Sequence, residues 1–244
     1  MKKQNKKANG IEESLNQSAK VMLKTLDWTY DRALAGIPGI DSKDIHELVK
    51  HHSQYSNDKE VVIDRIVKAQ ITKAGTSGFV TGFGGLITLP ATIPANIATN
   101  IYNQLRMILA IAAIRGYDPH SEEVRTFAYV ALTGSSLADV LKKSSVELAR
   151  KLTTKQIGKI PGKVLMKINK AVGFHLVAKS SSKGLINLGK MVPVVGAVVG
   201  GSIDTLATRT IARKAKETFT DKGIALGGEH IISIEEVGPD AEDK

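Results

Sequence analysis

The chain has 244 residues, with 34 Lys and Arg against 24 Asp and Glu, a net charge of +10, and no cysteine. The missing thiols exclude a disulfide scaffold, a Cys-zinc or iron–sulfur site and thiol catalysis. An apolar fraction of 42% excludes both a disordered chain and a polytopic transporter, and the length is enough for one large domain or two small ones with a real core.

In chain order, residues 1–10 read as a flexible basic arm, and no apolar run follows them, so neither a secretory signal nor an exported location is expected. Residues 11–56 read as N-terminal helices. The first runs from Glu12 to Arg32, with Leu15, Ala19, Met22, Leu26 and Tyr30 at helical spacing, and ends near Gly36-Ile-Pro-Gly39. Asp41 and Ser42 are candidate caps for a short helix reaching about His52. A larger helical unit is expected over residues 57–220, opening with a helix from Lys59 that lines up Val62, Ile66 and Ile71.

From Ala74 to Leu105 there are 32 residues without a charge, long enough for a membrane span. Seven Gly and Pro residues between Gly75 and Pro94 break that run into shorter pieces. After Pro94 a helix is predicted to Ile114, ended by Gly116, with Asn96, Asn100 and Asn103 on one stripe. The next helix is predicted from Ser121 to about Leu152. Helices then follow over Lys163–Ala178 and Lys190–Phe219, and a short hairpin around Gly227-Gly228 precedes an acidic tail within residues 221–244. The fold class is mainly α, a helical bundle with Gly-rich apolar helical hairpins and a short C-terminal β-hairpin.

The charge is concentrated. Between Lys142 and Lys190 lie twelve basic residues and one acid, Glu147, a net +11; the rest of the chain has 22 basic and 23 acidic residues, a net −1. On a helical wheel of Lys163–Ala178, the residues Val164, Leu165, Ile168, Ala171, Val172 and Leu176 gather on one side, and Lys163, Lys167 and Lys170 on the other, with Phe174 among them. With Lys151, Lys155 and Lys159 from the preceding stretch, these lysines are the candidate surface for an anionic membrane or an acidic partner. One aromatic residue in the whole stretch leaves no stacking platform, so nucleic acid is not expected as a partner.

Other motifs carry little. In His46-Glu-Leu-Val-Lys-His51 the histidines are five apart, on different helix faces, so no metal site is expected there. Gly158-Lys-Ile-Pro-Gly162-Lys163-Val164 is one residue short of a phosphate loop and has Val where the magnesium-holding Ser or Thr belongs. No nucleophile elbow exists, and no cofactor is expected. His175 falls on the apolar arc, where a hydrogen-bonded core histidine is the expected role. The small-xxx-small pairs Gly78/Gly82 and Gly196/Gly200, with Gly85, are candidate helix-packing positions. Asp139 and Asp204 sit in apolar surroundings, which demands a cap or an ion pair. The alternative places Asp139, Asp204, Arg209, Asn96 and Asn100 around one polar cavity, in a hydrolase-type enzyme or a lipid-binding module.

The stretches GFVTGFGGLITLPATIPANI (78–97), IRGYD (114–118), GKVLMKINKAVGFHLVAK (162–179) and KGLINLGKMVPVVGAVVGGSIDTLATRTIARKAK (183–216) resemble the EcsC family of bacterial proteins. The likeness covers roughly residues 60–220. It implies a protein encoded beside a two-component ABC transporter, and carries over no catalytic residue. Relatives often have Asp at the position of Asn96 and a basic residue at that of His175. Together these features predict a cytoplasmic, membrane-associated accessory or interaction protein, peripheral or partly inserted at the inner face of the cell membrane and linked to an ABC transporter or to envelope function. Its expected partners are anionic lipid or a membrane protein such as an ABC transporter subunit, and self-association is left open.

Overall fold

In the computed structural model, residues 2–74, 95–136, 138–140, 160–180 and 196–224 are described. Their helices are α1 (Lys2–Ala35), α2 (Ile45–Ser53), α3 (Lys59–Ala74), α4 (Ala95–Ile114), α5 (Glu122–Leu132), α6 (Gly162–Ser180) and α7 (Gly196–Thr218). A two-stranded antiparallel ribbon closes the described chain, β1 (Phe219–Thr220) pairing with β2 (Gly223–Ile224). The mainly helical architecture is thus as the sequence predicts. The ribbon lies earlier than the hairpin expected at Gly227-Gly228, which falls outside the described residues, as do Gly78, Gly82 and Gly85.

Helix α4 is the axle of the domain. From Leu105 to Ala112 every side chain is fully buried, so the helix is enclosed all round rather than on one stripe. It packs against α1, α2, α3, α5 and α7. Its end is a Schellman motif: Gly116 adopts φ +85°, its N–H donates to the Ala113 carbonyl at 3.0 Å, and the Tyr117 N–H donates to the Ala112 carbonyl at 3.0 Å.

Local chemistry sets the other ends. Helix α2 starts at a capping box in which Asp44 accepts from the Glu47 N–H and Glu47 accepts from the Asp44 N–H. The cap is therefore Asp44, not Asp41 or Ser42. Helix α5 starts at Ser121, whose hydroxyl accepts from the Val124 N–H, and stops at Leu132 rather than near Leu152. Gly134 takes φ +72° and its N–H donates to the Ala131 carbonyl, which ends the helix. Helix α1 begins at Lys2, so residues 2–10 of the stretch expected as an arm are helical.

Helices α1 and α5 join through tyrosines. The Tyr30 hydroxyl donates to the Pro119 carbonyl at 2.7 Å, the Tyr129 hydroxyl donates to Asp27 at 2.7 Å, and the two rings meet edge to face at 5.6 Å. Helices α1 and α6 approach closely at Gly173, where an added Cβ would sit 3.2 Å from the Ala19 carbonyl oxygen and 3.2 Å from Leu23 Cγ. A β-branched side chain cannot enter that space without pushing the helices apart. Gly173→Val is expected to destabilise the fold by about 1–3 kcal/mol, the usual cost of overpacking, read as a lower urea midpoint with unchanged slope.

Candidate functional site

The 32-residue uncharged run is bracketed by two cations, Lys73 before it and Arg106 after it. Both reach the same carboxylate. Lys73 Nζ lies 2.8 Å and Arg106 Nε 3.1 Å from Asp41 Oδ2. The Arg106 side chain is wholly buried and the Asp41 side chain 7% exposed, whereas that of Lys73 is 34% exposed. Arg106 Nη1 also donates to the Ala33 carbonyl at 3.0 Å, at the end of α1.

The loop that carries Asp41 is built for the purpose. Gly36 ends α1 at φ +78°, donating its N–H to the Arg32 carbonyl at 2.9 Å. Pro38 and Gly39 (φ +80°) then form a type II turn, in which the Ile40 N–H donates to the Ile37 carbonyl at 3.1 Å. Ile37 and Asp41 exchange backbone hydrogen bonds at 2.8 and 2.9 Å, which locks the Asp41 backbone directly after the turn.

More polar groups lie buried along the same helices. Gln70 on α3 and Asn103 on α4 are 1% and 2% exposed, and neither amide has a hydrogen-bond partner among the described residues; nor does Arg106 Nη2. An orphaned buried polar group costs about 1–3 kcal/mol, so this cluster is expensive for the fold to keep. Tyr102 stands beside it, with the guanidinium of Arg106 5.8 Å from its ring, and burial pushes its phenol well above the ordinary value.

The second feature is the outer face of α6. This helix carries four lysines and no acid. Leu165, Ile168 and Val172 are buried and the helix rests on α1 and α5, while Lys163, Lys167 and Lys170 are exposed on the other side. Met166 lies among them, 64% exposed, and Lys170 Nζ sits 5.9 Å from the half-buried Phe174 ring. Lys151, Lys155 and Lys159 lie outside the described residues.

The remaining candidates disperse. Asp139 is exposed at a helix start: its N–H donates to Ser136 Oγ at 3.1 Å, and that hydroxyl donates to Asp139 Oδ2 at 2.7 Å. Arg209 is exposed on α7, Asn100 is half-buried on α4, and Asn96 and Asp204 fall within α4 and α7, as Gly196 and Gly200 fall within α7. His175 is half-buried, its Nε2 3.4 Å from Ser135 Oγ. His46 is exposed and stacks on His120 at 6.0 Å. His52 is half-buried, and burial together with the positive charge of His51, Arg65, Lys73 and Lys43 holds its imidazole below the ordinary value. Among the described residues, no group of three His, Asp or Glu side chains is placed to hold a metal ion, and no helix is long and apolar enough to cross a membrane.

The Asp41–Arg106 pair went unread in the sequence because its members belong to different elements. No local signal pointed to it, since Arg32, Lys43 and Lys50 all stand nearer to Asp41 in the sequence.

No match was found among curated proteins or among solved structures. The model of the EcsC protein family matches residues 2–221, reaching back through the N-terminal helices that the resemblance over residues 60–220 left out. With all but the last 23 residues and the initial Met inside that match, the chain belongs to the EcsC protein family.

Proposed function

We propose that this chain is a membrane-associated accessory or interaction protein that docks through its lysine-rich region, in the service of an ABC transporter or another envelope assembly. The observation that carries the reading is the exposed face of α6, where Lys163, Lys167 and Lys170 surround the exposed Met166 without an acid on the helix. Lysines meet anionic headgroups, and a thioether between them can enter the interface.

Magnitudes decide how much of the region is needed. Three lysines near an anionic surface contribute about 3 kcal/mol, and burial of Met166 at most about 2 more. That sum of at most about 5 kcal/mol corresponds to a dissociation constant no tighter than ~0.2 mM, so α6 alone gives weak docking. The further lysines of the Lys142–Lys190 stretch supply the remainder of the affinity. The transporter link rests on the family resemblance. An enzyme built around Asp139 draws no support from the site, since that carboxylate is exposed at the surface and accepts from the Ser136 hydroxyl that caps the helix start.

Sedimentation of purified protein with lipid vesicles tests the proposal. Binding to phosphatidylglycerol-containing vesicles at ~0.1 M salt, loss of that binding at ~1 M salt, and at least tenfold weaker binding of K163E/K167E/K170E are the expected results. Equal binding to purely zwitterionic vesicles, or a triple variant that binds like the parent, would overturn it.

A further inference from the structure

We propose that the buried seam between α3 and α4 is a binding site for a small protonated oxyanion, of the hydrogen phosphate or bicarbonate type. The argument starts from the two cations on Asp41. One turn before Lys73 on α3, on the same side of the helix, sits Gln70. One turn before Arg106 on α4, likewise on the same side, sits Asn103. The two helices pack together and run antiparallel, since Arg115 just past α4 pairs with Glu60 in the first turn of α3, while Lys73 at the far end of α3 shares Asp41 with Arg106. That register brings Gln70 to about the level of Arg106, with Asn103 one turn further along α4.

The chemistry of the orphaned atoms selects the ligand. Arg106 Nη2, Gln70 Nε2 and Asn103 Nδ2 are three buried donors without a hydrogen-bond partner among the described residues; the same guanidinium is ion-paired through Nε with Asp41 and donates from Nη1 to the Ala33 carbonyl. Three donors, one of them charged, suit an anion with several oxygens. Gln70 Oε1 and Asn103 Oδ1 are two orphaned acceptors on the same two helices, and a single O–H on the ligand satisfies one of them. A bare carboxylate or a halide offers no O–H. A hydrogen phosphate or bicarbonate ion has both acceptor oxygens and an O–H. All three side chains are at least nine-tenths buried, so the ion would be held away from water, where such contacts are strong.

The site is independent of the lysine face, and its test does not involve lipid. Thermal unfolding of the full chain is followed with potassium phosphate, bicarbonate, acetate and chloride at matched ionic strength and pH. Phosphate or bicarbonate is expected to raise Tm by about 5–10 °C at a hundredfold excess over its Kd, and chloride and acetate by much less. Gln70→Leu and Asn103→Leu remove the orphaned amides with little change in volume; both are expected to fold and to lose the anion-dependent shift. If no oxyanion moves Tm, or if the two variants respond to it as the parent does, the proposal fails. It fails equally if acetate and chloride act as strongly as phosphate and bicarbonate.

Discussion

Asp41→Ala is expected to lower the free energy of unfolding by about 3–5 kcal/mol, the cost of leaving a buried charge without its counter-ion. The loss falls mainly on Arg106. Lys73 has a side chain one-third exposed and a flexible stem, so it can turn its ammonium to water once the carboxylate is gone. The Arg106 side chain has no exposed surface, and its neighbours are the Ala33 carbonyl and the Tyr102 ring. Lys73→Met should therefore cost far less, about 1 kcal/mol or under. The double variant Asp41→Ala/Arg106→Met should regain much of what Asp41→Ala loses, because an apolar pair can replace a buried ion pair at little net cost. Urea unfolding of the four proteins checks all of this. Equal losses for Lys73→Met and Asp41→Ala would mean that the exposed cation, not the buried one, is what Asp41 serves.

The helix that carries Arg106 was legible in the sequence, and the partner of Arg106 was not. Pro94 and Gly116 punctuate α4, and the helix runs from Ala95 to Ile114 as that punctuation dictates. Pairing is harder because Asp41 has two readings. It stands just before a short helix and so looks like a cap, but the residue with a Glu three positions on is Asp44, which leaves Asp41 free to turn inward. The α5 boundary failed for the opposite reason. Apolar periodicity continues past Gly134, yet a glycine that adopts positive φ and caps the preceding turn overrides the pattern. Helix-packing glycines show a similar gap. Small-xxx-small spacing drew attention to Gly78/Gly82 and Gly196/Gly200, whereas Gly173, where α1 closely approaches α6, belongs to no such pair. On α6, the alternation of lysine and apolar positions was readable at once, since three lysines at helical spacing define their own face. What the wheel passed over was Met166, which the packing of α6 on α1 and α5 leaves outside.

Gly36→Ala and Gly116→Ala change the same atom at nearly the same backbone angle, and Gly36→Ala should cost more. Both glycines end a helix with φ near +80°, a conformation that costs an alanine about 1–2 kcal/mol. At Gly116 an added Cβ meets nothing within 4 Å, so that strain is the whole effect. At Gly36 the Cβ would lie 2.6 Å from the Asp41 carbonyl oxygen and closer still to that of Lys43, both rigid backbone groups. Relief requires the 37–43 loop to move away from α1. That loop holds Asp41 under Arg106 through the backbone pairing of Ile37 with Asp41, so the displacement loosens the ion pair as well. Adding overpacking to the strain gives about 2–5 kcal/mol for Gly36→Ala, against about 1–2 kcal/mol for Gly116→Ala. Because both act on one loop, Gly36→Ala combined with Asp41→Ala should cost less than the sum of the two alone. A strictly additive pair would show that Gly36 supports the end of α1 and not the placement of the carboxylate.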